Sequence, residues 1–394
     1  MYFSPIISYT ALWLIGVCAL CVLVVAAYYF FRVRTVITYR RRADNERPDK
    51  PDADYLPASV IIYSQGDAEN LRELLEIVLN QDYPAAYEVI VVNEGEAGDV
   101  RDTVGMLRGR YSNLYLTFTP EGVVNLSRKK LALTLGLKAA RYDVAVLTTS
   151  AAIISSPQWL RRMTRRFDVN SPVEVVLGVA VVDPEEDSHT GCRRRAFDFV
   201  VETVRWLGVA IAGKPFRGTE YNIAYRRSAF LRNKGFARSL NLHYGDDDIF
   251  ISEIAKGSNT EVELSEDSIV RLRHGNHPRL FNERVLRRIF TERFIRRKPR
   301  VLQPLAGILQ VVAILAGAAA AFVDWPNLQV AIIVSVILAA MIAMDIIIWR
   351  QAMKALKSRP LLLTIPWLVL THPARRAMAR LRSRLSKQKK YTWD

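Results

Sequence analysis

The hydrophobic residues of this chain form two different patterns. Long apolar runs with almost no charge occupy residues 10–31, 301–323 and 328–349, and each is long enough to cross a lipid bilayer. Between the first two runs, short β-branched segments alternate with segments whose apolar residues recur at helical spacing. The first pattern predicts three membrane-spanning helices. The second predicts an α/β domain with a mainly parallel sheet and helices on both faces.

The residues that flank the apolar runs indicate an orientation. Lys and Arg are dense after residue 31, before residue 301 and after residue 349, whereas the first nine residues and the turn 324–327 contain neither. Cytoplasmic flanks carry such an excess. We therefore expect a multi-pass protein of the inner (plasma) membrane with its N-terminus outside, and with residues 32–300 and the C-terminal tail in the cytoplasm.

Taken together, these patterns divide the 394 residues into six segments. They are an N-terminal transmembrane anchor (1–33), a basic linker (34–56), the α/β domain (57–273), a basic juxtamembrane segment (274–300), a transmembrane hairpin (301–349), and an interfacial helix with a basic tail (350–394). The interfacial helix is predicted from residues 360–370, which are apolar but too short to cross and are flanked by basic residues.

The formal net charge of +16 indicates a polyanionic partner. Lys and Arg cluster beside the apolar runs, which is typical of contact with anionic membrane lipids. We therefore expect membrane lipids as partners and no nucleic acid. The sequence leaves the oligomeric state open.

Polar residues follow the first two predicted strands, "ASVIIYS" and "YEVIVVNEG". In open α/β sheets, ligands bind beyond the carboxyl ends of the strands, so residues 63–67 and 93–96 should face one crevice. A third strand ends at Thr149, and the helix before it begins with Lys129 and Lys130. These lysines could reach a phosphate, or they could be the solvated start of a helix.

Three adjacent carboxylates, Asp246, Asp247 and Asp248, stand in "YGDDDIF" at a predicted loop-to-helix junction. Neighbouring like charges repel, which raises one pKa toward a value useful for proton abstraction. Asp is also favoured at helix N-termini as a cap. The residues alone are compatible with both roles.

Six segments in this order and spacing resemble family 2 glycosyltransferases of the Rossmann-like GT-A fold, over roughly residues 57–273. They are "SVIIYSQGDAENL", "NQDYPAAYEVIVVNEGE", "SRKKLALTLGLKAA", "SSPQWL", "FRGTEYNIAYRRSAF" and "YGDDDIFI". The flanking spans resemble the membrane-embedded polysaccharide-synthase branch. The resemblance implies an inverting transferase that moves a sugar from a nucleotide-sugar donor to a lipid-linked or cell-surface polysaccharide acceptor in envelope biosynthesis.

The resemblance also implies roles for individual residues. The catalytic acid pair falls on Asp246 and Asp247, with Asp247 as the base that takes the acceptor proton. The loop at Gly218 and Asn222 is expected to contact acceptor or donor. The expected nucleotide-binding residues are Tyr63, Ser64, Asp67, Glu94, Lys129 and Lys130.

The sequence departs from the family at the Asp-x-Asp motif, which binds a divalent Mg or Mn ion. Thr149, Ser150 and Ala151 stand at these positions, and a hydroxyl and a methyl group do not replace two anionic ligands. Glu220 also stands where the family often has Gly, and a Gln-x-x-Arg-Trp motif is missing. Two explanations remain open. Basic residues of 282–300 could neutralise the diphosphate, or the domain could be a catalytically inactive scaffold or binding subunit.

Overall fold

The computed structural model describes residues 7–45, 50–95, 98–120, 126–182, 191–273, 275, 277–295, 303–358 and 361–385. Its first helix, α1 (Tyr9–Tyr28), is capped by the Ser8 side chain and contains no charged residue. It continues through one π-helical turn (Tyr29–Val33) into α2 (Arg34–Asn45). The segment expected to be a linker is therefore helical as far as Asn45.

The first half of the α/β domain alternates strands and helices. Its elements are β1 (Ala58–Ser64), α3 (Ala68–Val78), β2 (Tyr87–Asn93), α4 (Gly98–Arg108), β3 (Leu114–Phe118), α5 (Arg128–Ala139) and β4 (Val144–Thr149). The four strands are parallel in the order β3-β2-β1-β4. Every residue of β1 and β4 is buried, because helices cover both faces of the sheet.

The second half completes the sheet with short strands. Its elements are β5 (Ala152–Ile153), α6 (Trp159–Thr164), β6 (Val175–Leu177), β7 (Ala180–Val182), α7 (Cys192–Ile211), β8 (Ile223–Arg226), α8 (Arg227–Arg232), α9 (Ile249–Ile254), β9 (Thr260–Val262) and β10 (Val270–Leu272). The large sheet has the order β3-β2-β1-β4-β8-β6-β9, and β5-β10-β7 form a small sheet.

The reversed strand β8 matters for the position of the site. It pairs antiparallel with β4, so that Ile223 at its start lies opposite Leu147 near the carboxyl end of β4. The loop that precedes Ile223 is thereby brought to the edge of the sheet at which the parallel strands end. The predicted mainly parallel sheet is confirmed, with β8 running against its neighbours.

Four helices follow the domain: α10 (Pro278–Thr291), α11 (Gln303–Val323), α12 (Leu328–Ala355) and α13 (Ile365–Leu385). Among the described residues, three helical segments are long and apolar enough to cross a membrane: Tyr9–Ala43, Leu305–Val323 and Leu328–Ala355. They agree with the three predicted spans. α1 packs closely on α11, where small residues such as Ala313 and Ala320 are fully buried.

The helix α13 differs from its expected form. The interfacial helix was predicted at 360–370, but α13 begins at Ile365 and runs through Pro373 to Leu385 without a break. A Cβ added at Gly307 of α11 would clash with the Pro373 ring, so this glycine permits close contact between the two helices. Arg375 pairs with Asp198 of α7 at 3.2 Å, which ties α13 to the α/β domain as well.

Candidate active site

A cavity of about 470 Å³ lies at the carboxyl ends of β1, β2 and β4. One wall comes from these strand ends and carries Tyr63, Glu94 and Thr149. The opposite wall comes from α10 and carries Arg284 and Arg287. The juxtamembrane helix thus folds back over the crevice that the parallel strands form.

Tyr63 and Glu94 form one end of the strand wall. The Tyr63 hydroxyl donates a short hydrogen bond to the Glu94 carboxylate, and the backbone N–H of Glu94 donates to Ser64 O at 2.9 Å. Burial and the bond to Glu94 hold the pKa of Tyr63 well above its usual value, so its hydroxyl stays protonated. This bond fixes the direction of the Glu94 carboxylate and leaves its other oxygen available to a ligand.

The two adjacent lysines of α5 have different environments. Lys130 is fully buried, and its ammonium donates to the carbonyl oxygens of Ser239, Leu242 and Tyr244. Lys129 lines the cavity, with Nζ 2.7 Å from Asp246 Oδ2. Burial lowers the pKa of both, that of Lys130 to about 8. Only Lys129 is therefore placed to meet a phosphate, and Lys130 instead holds the loop that leads to Asp246.

The carboxyl groups of Asp246 and Asp247 are close together but have very different pKa values. Arg287 Nη2 lies 2.9 Å from Asp246 Oδ1 and 3.4 Å from Asp247 Oδ1. Burial works to raise the pKa of Asp246, but the charges of Lys129 and Arg287 hold it well below its usual value. Burial and the Asp248 charge raise the pKa of Asp247 to about 6. Asp246 therefore stays ionised while Asp247 exchanges a proton near neutral pH, as an acid–base group requires.

Asp248 points away from the cavity into a buried ion network. Arg217 Nε lies 2.8 Å from Asp248 Oδ1, and the Thr291 hydroxyl donates to Asp248 Oδ2 at 2.6 Å. Arg217 is 1% exposed and also pairs with Glu202 at 3.0 Å. The third aspartate therefore anchors the loop.

Glu220 lies between two of the cations that line the cavity, Lys129 and Arg287. Its carboxylate accepts two bonds from Arg287 Nη1, at 2.7 and 2.9 Å, and a third, short one from Lys129. In the sequence, Glu220 is notable only as a departure from the family's Gly. Arg284 and Arg287 belong to the basic stretch 282–300 and were not predicted individually, although they have the three-residue spacing of Gln and Arg in Gln-x-x-Arg-Trp.

Besides Lys130, four other expected contact residues do not line the cavity in this structure. Ser64 is fully buried, and Asp67 caps α3 by accepting from Asn70 N. Asn222 is fully buried, where it accepts from Trp159 Nε1 and donates to two backbone carbonyls. Gly218 donates its N–H to Asp247 O at 3.1 Å. Asn222 and Gly218 thus support the loops of the site.

The Asp-x-Asp positions do not offer a metal its usual ligands. The Thr149 hydroxyl is buried without a hydrogen-bond partner among the residues that the structure describes, Ser150 is buried beside it, and Ala151 contributes a methyl group. Across the described ranges, no group of three or more Asp, Glu, His or Cys residues could hold an ion. One hydroxyl and a methyl do not fit Mg or Mn, which take carboxylate oxygens.

A family model, described as Glycosyl transferase family 21, matches residues 17–381. No curated protein matches the chain. The predicted GT-A glycosyltransferase is confirmed, and family 2 is a close fit to it.

Among solved structures, the mannosyltransferase PcManGT from Pyrobaculum calidifontis, in complex with GDP-Man and Mn²⁺, is 18% identical with a TM-score of 0.54. That match covers 94% of this chain and 100% of the other. S. aureus TarS 1-349 is 14% identical, with a TM-score of 0.40 and coverages of 84% and 92%. Glucosyl-3-phosphoglycerate synthase from Mycobacterium tuberculosis is 15% identical, with a TM-score of 0.39 and coverages of 58% and 78%. The first of these matches shows the fold.

Proposed function

Since this chain belongs to glycosyl transferase family 21, we propose that it transfers a sugar, with inversion, from a nucleotide-sugar donor to a lipid-linked or polysaccharide acceptor at the membrane. The observation that carries this proposal is the pair Asp246 and Asp247, which have very different pKa values, beside a cation-lined cavity. A proton acceptor and a site for a departing diphosphate are the two features that such a transfer requires.

In the proposed reaction, the acceptor hydroxyl oxygen attacks the anomeric carbon of the donor. The bond from that carbon to the diphosphate oxygen breaks, and its electron pair leaves with the nucleoside diphosphate. The hydroxyl proton passes to the Asp247 carboxylate. With a pKa of about 6, Asp247 is mostly ionised at neutral pH and is a stronger base than an ordinary aspartate. Asp246 stays charged and holds Lys129 and Arg287 in place.

We place the nucleotide base at the strand wall, next to Tyr63 and Glu94. The Glu94 carboxylate can accept a hydrogen bond from the N–H of a nucleobase, and the Tyr63 hydroxyl fixes its direction. The neighbour PcManGT is described in complex with GDP-Man, which supports a nucleotide sugar as donor. Asp67 and Ser64 contribute to this end through the loop that they shape.

We place the acceptor side at the membrane because the cavity is roofed by α10, the helix that precedes the span α11. Apolar side chains near α13 are strongly exposed, with Leu363 at 90% and Trp367 at 67%. Such side chains suit the interfacial layer of a bilayer. With the basic flanks in the cytoplasm, the cleft would face that side of the inner membrane and receive an acceptor held in it.

The test is a donor panel with the purified full chain in lipid nanodiscs. Release of free nucleoside diphosphate is measured for each nucleotide sugar, with membrane lipid extract as acceptor, in EDTA and in Mg²⁺ or Mn²⁺. We expect one donor to be turned over and to raise the unfolding temperature. If no donor is turned over and none binds under any of these conditions, the transferase proposal is wrong and an inactive binding subunit is the better account.

A further inference from the structure

The carboxylates of the cleft line two different spaces. Glu220 lines the large cavity together with Lys129 and Arg287. Asp246 and Asp247 line a separate, much smaller space, which Lys129 and Glu220 also line. A ligand in the large cavity therefore contacts the Glu220 carboxylate, whereas Asp246 and Asp247 are not part of the lining of that cavity.

Glu220 is held by two cationic side chains of the cavity. Both of its carboxylate oxygens accept from Arg287 Nη1, and one of them also accepts from Lys129. The N–H groups of arginine and lysine bind the oxygens of a phosphate in the same charge-assisted way. The Glu220 oxygens thus occupy the positions that two phosphate oxygens would take on these cations.

Two further observations indicate that a ligand belongs here. Thr149 is 7% exposed and lines the same cavity, and its buried hydroxyl has no hydrogen-bond partner in the described part of the chain. Arg284 also lines the cavity and makes no ion pair with a carboxylate among the described residues. A buried hydroxyl without a partner costs free energy, and a ligand oxygen would satisfy it.

We propose that Lys129, Arg284 and Arg287 form a metal-independent diphosphate site, and that Glu220 is an internal anion which the donor diphosphate displaces. This inference rests on the proposed function for the identity of its ligand. It follows from the disagreement at the Asp-x-Asp positions, where Thr149 offers a hydroxyl and the carboxylates of a metal site are missing. A diphosphate carries more negative charge than Glu220, so it competes well for the same two cations.

The displacement has a clear consequence for affinity. Part of the diphosphate's binding free energy is spent in breaking the bonds of Glu220 to Arg287 and Lys129. An uncharged amide at position 220 releases these cations more easily. Replacement of Glu220 should therefore tighten diphosphate binding, whereas removal of Arg287 should weaken it.

The experiment uses inorganic pyrophosphate as the probe, because it contains no base or sugar. Its dissociation constant is measured calorimetrically on the full chain in nanodiscs with EDTA present. We expect the wild type to bind measurably. Relative to it, the dissociation constant should be at least tenfold larger for Arg287→Gln, should increase by less for Arg287→Lys, and should be about threefold smaller for Glu220→Gln. Arg279→Gln, on an exposed position of α10, is the matched control and should match the wild type.

Three results would overturn the inference: pyrophosphate that binds only when divalent metal is added, weakening by Glu220→Gln, or equal affinity in all variants. Should Arg287→Gln not fold, Arg287→Lys and Glu220→Gln still decide the outcome by opposite shifts. Failure of the inference is distinguishable from failure of the proposed function. Turnover of a donor only with metal would keep the function and reject the site. Pyrophosphate binding in EDTA, with no donor turned over and none bound under any condition, would keep the anion site and reject the proposed function.

Discussion

Two ion clusters lie on either side of the run Asp246–Asp248, and they differ in purpose. The cleft cluster consists of Lys129, Glu220, Asp246, Asp247 and Arg287 and borders the cavity. The interior network consists of Glu202, Arg205, Arg217, Asp248, Glu292 and Arg376 and joins α7, α10 and α13. Both combine cationic side chains with carboxylates, so charge alone does not separate a site from a structural support.

Protonation and access distinguish the clusters. In the interior network, burial opposes ionisation of Glu202, but the charges of Arg205 and Arg376 hold its pKa well below the usual range. In the cleft cluster, the pKa of Asp247 is raised to about 6. A group near its pKa next to a cavity is a candidate for chemistry, whereas a permanently paired buried charge is typical of structure. The comparison predicts that changes in the two clusters affect different measurements.

The largest effect is expected from Asp247→Asn, which keeps the shape of the side chain but removes the base. We expect kcat/KM for sugar transfer to fall by about 10²–10⁴-fold, the range for loss of a general base. Its unfolding temperature should not fall, because the raised pKa means that ionised Asp247 is not favoured in the folded state. Asp102→Asn, on an exposed position of α4, is the control. An equal loss in both variants would remove the special role of Asp247.

Asp248→Asn tests the interior network. Removing one partner of a buried ion pair leaves the other charge uncompensated, so we expect the free energy of unfolding to fall by about 3–5 kcal/mol. The partner is Arg217, which is almost fully buried. A double variant, Asp248→Asn with Arg217→Gln, should lose less than the sum of the single losses. Denaturant titration in detergent provides the measurement, and strict additivity would contradict the pairing.

The pH dependence of turnover should follow Asp247. Because the base must be ionised and its pKa is about 6, kcat/KM should rise with pH through about 6 and level off above 7. The contribution of Asp247 to the free energy of unfolding changes with pH in the opposite direction. The folded state holds its proton more tightly than the unfolded one, so this contribution falls as pH rises from about 4 to about 6. A rate profile that is flat between pH 5 and 7 would argue against Asp247 as the base.

The smallest effect is expected from Arg380→Gln at the rim of the interior network. Its side chain is 46% exposed and lies 3.3 Å from Glu292. Exposed ion pairs contribute about 0–1 kcal/mol, so the free energy of unfolding should change by no more than that and turnover should not change. A loss as large as that of Asp248→Asn would mean that the network extends to the surface of α13.

The sequence predicted the sheet and a crevice at its strand ends, because buried strands form continuous apolar runs and ligands bind beyond their carboxyl ends. Tyr63, Glu94 and Thr149 line the cavity at these strand ends, whereas Ser64 and Asp67 do not. That Tyr63 and Glu94 bind a nucleotide stays a prediction. The sequence did not predict that α10 would form a wall of the cavity with Arg284 and Arg287. Its position depends on a juxtamembrane helix that folds back over the sheet, and local pattern does not encode that contact. A helix on anionic headgroups has the same basic composition as one that carries Arg287 into a cleft.

The sequence pattern also could not distinguish the roles of residues that are close together in the chain. Lys129 and Lys130 are adjacent, yet successive residues of a helix point about 100° apart, so one faces the cavity and the other the core. Asn222 was expected to contact a ligand but supports Trp159 instead. In the sequence, Glu220 was notable only because the family often has Gly at that position. Its role depends on contacts with two cations, which are distant in sequence.

The most direct test of the account follows a radiolabelled sugar from its nucleotide donor into the organic phase after incubation with membrane lipids. The full chain in nanodiscs is compared with Asp247→Asn and Arg380→Gln. The account predicts that label enters the lipid phase with the wild type and Arg380→Gln, and that Asp247→Asn binds the donor but transfers at least a hundredfold less. Label that stays in the aqueous phase for every donor, or equal transfer by Asp247→Asn, would contradict it.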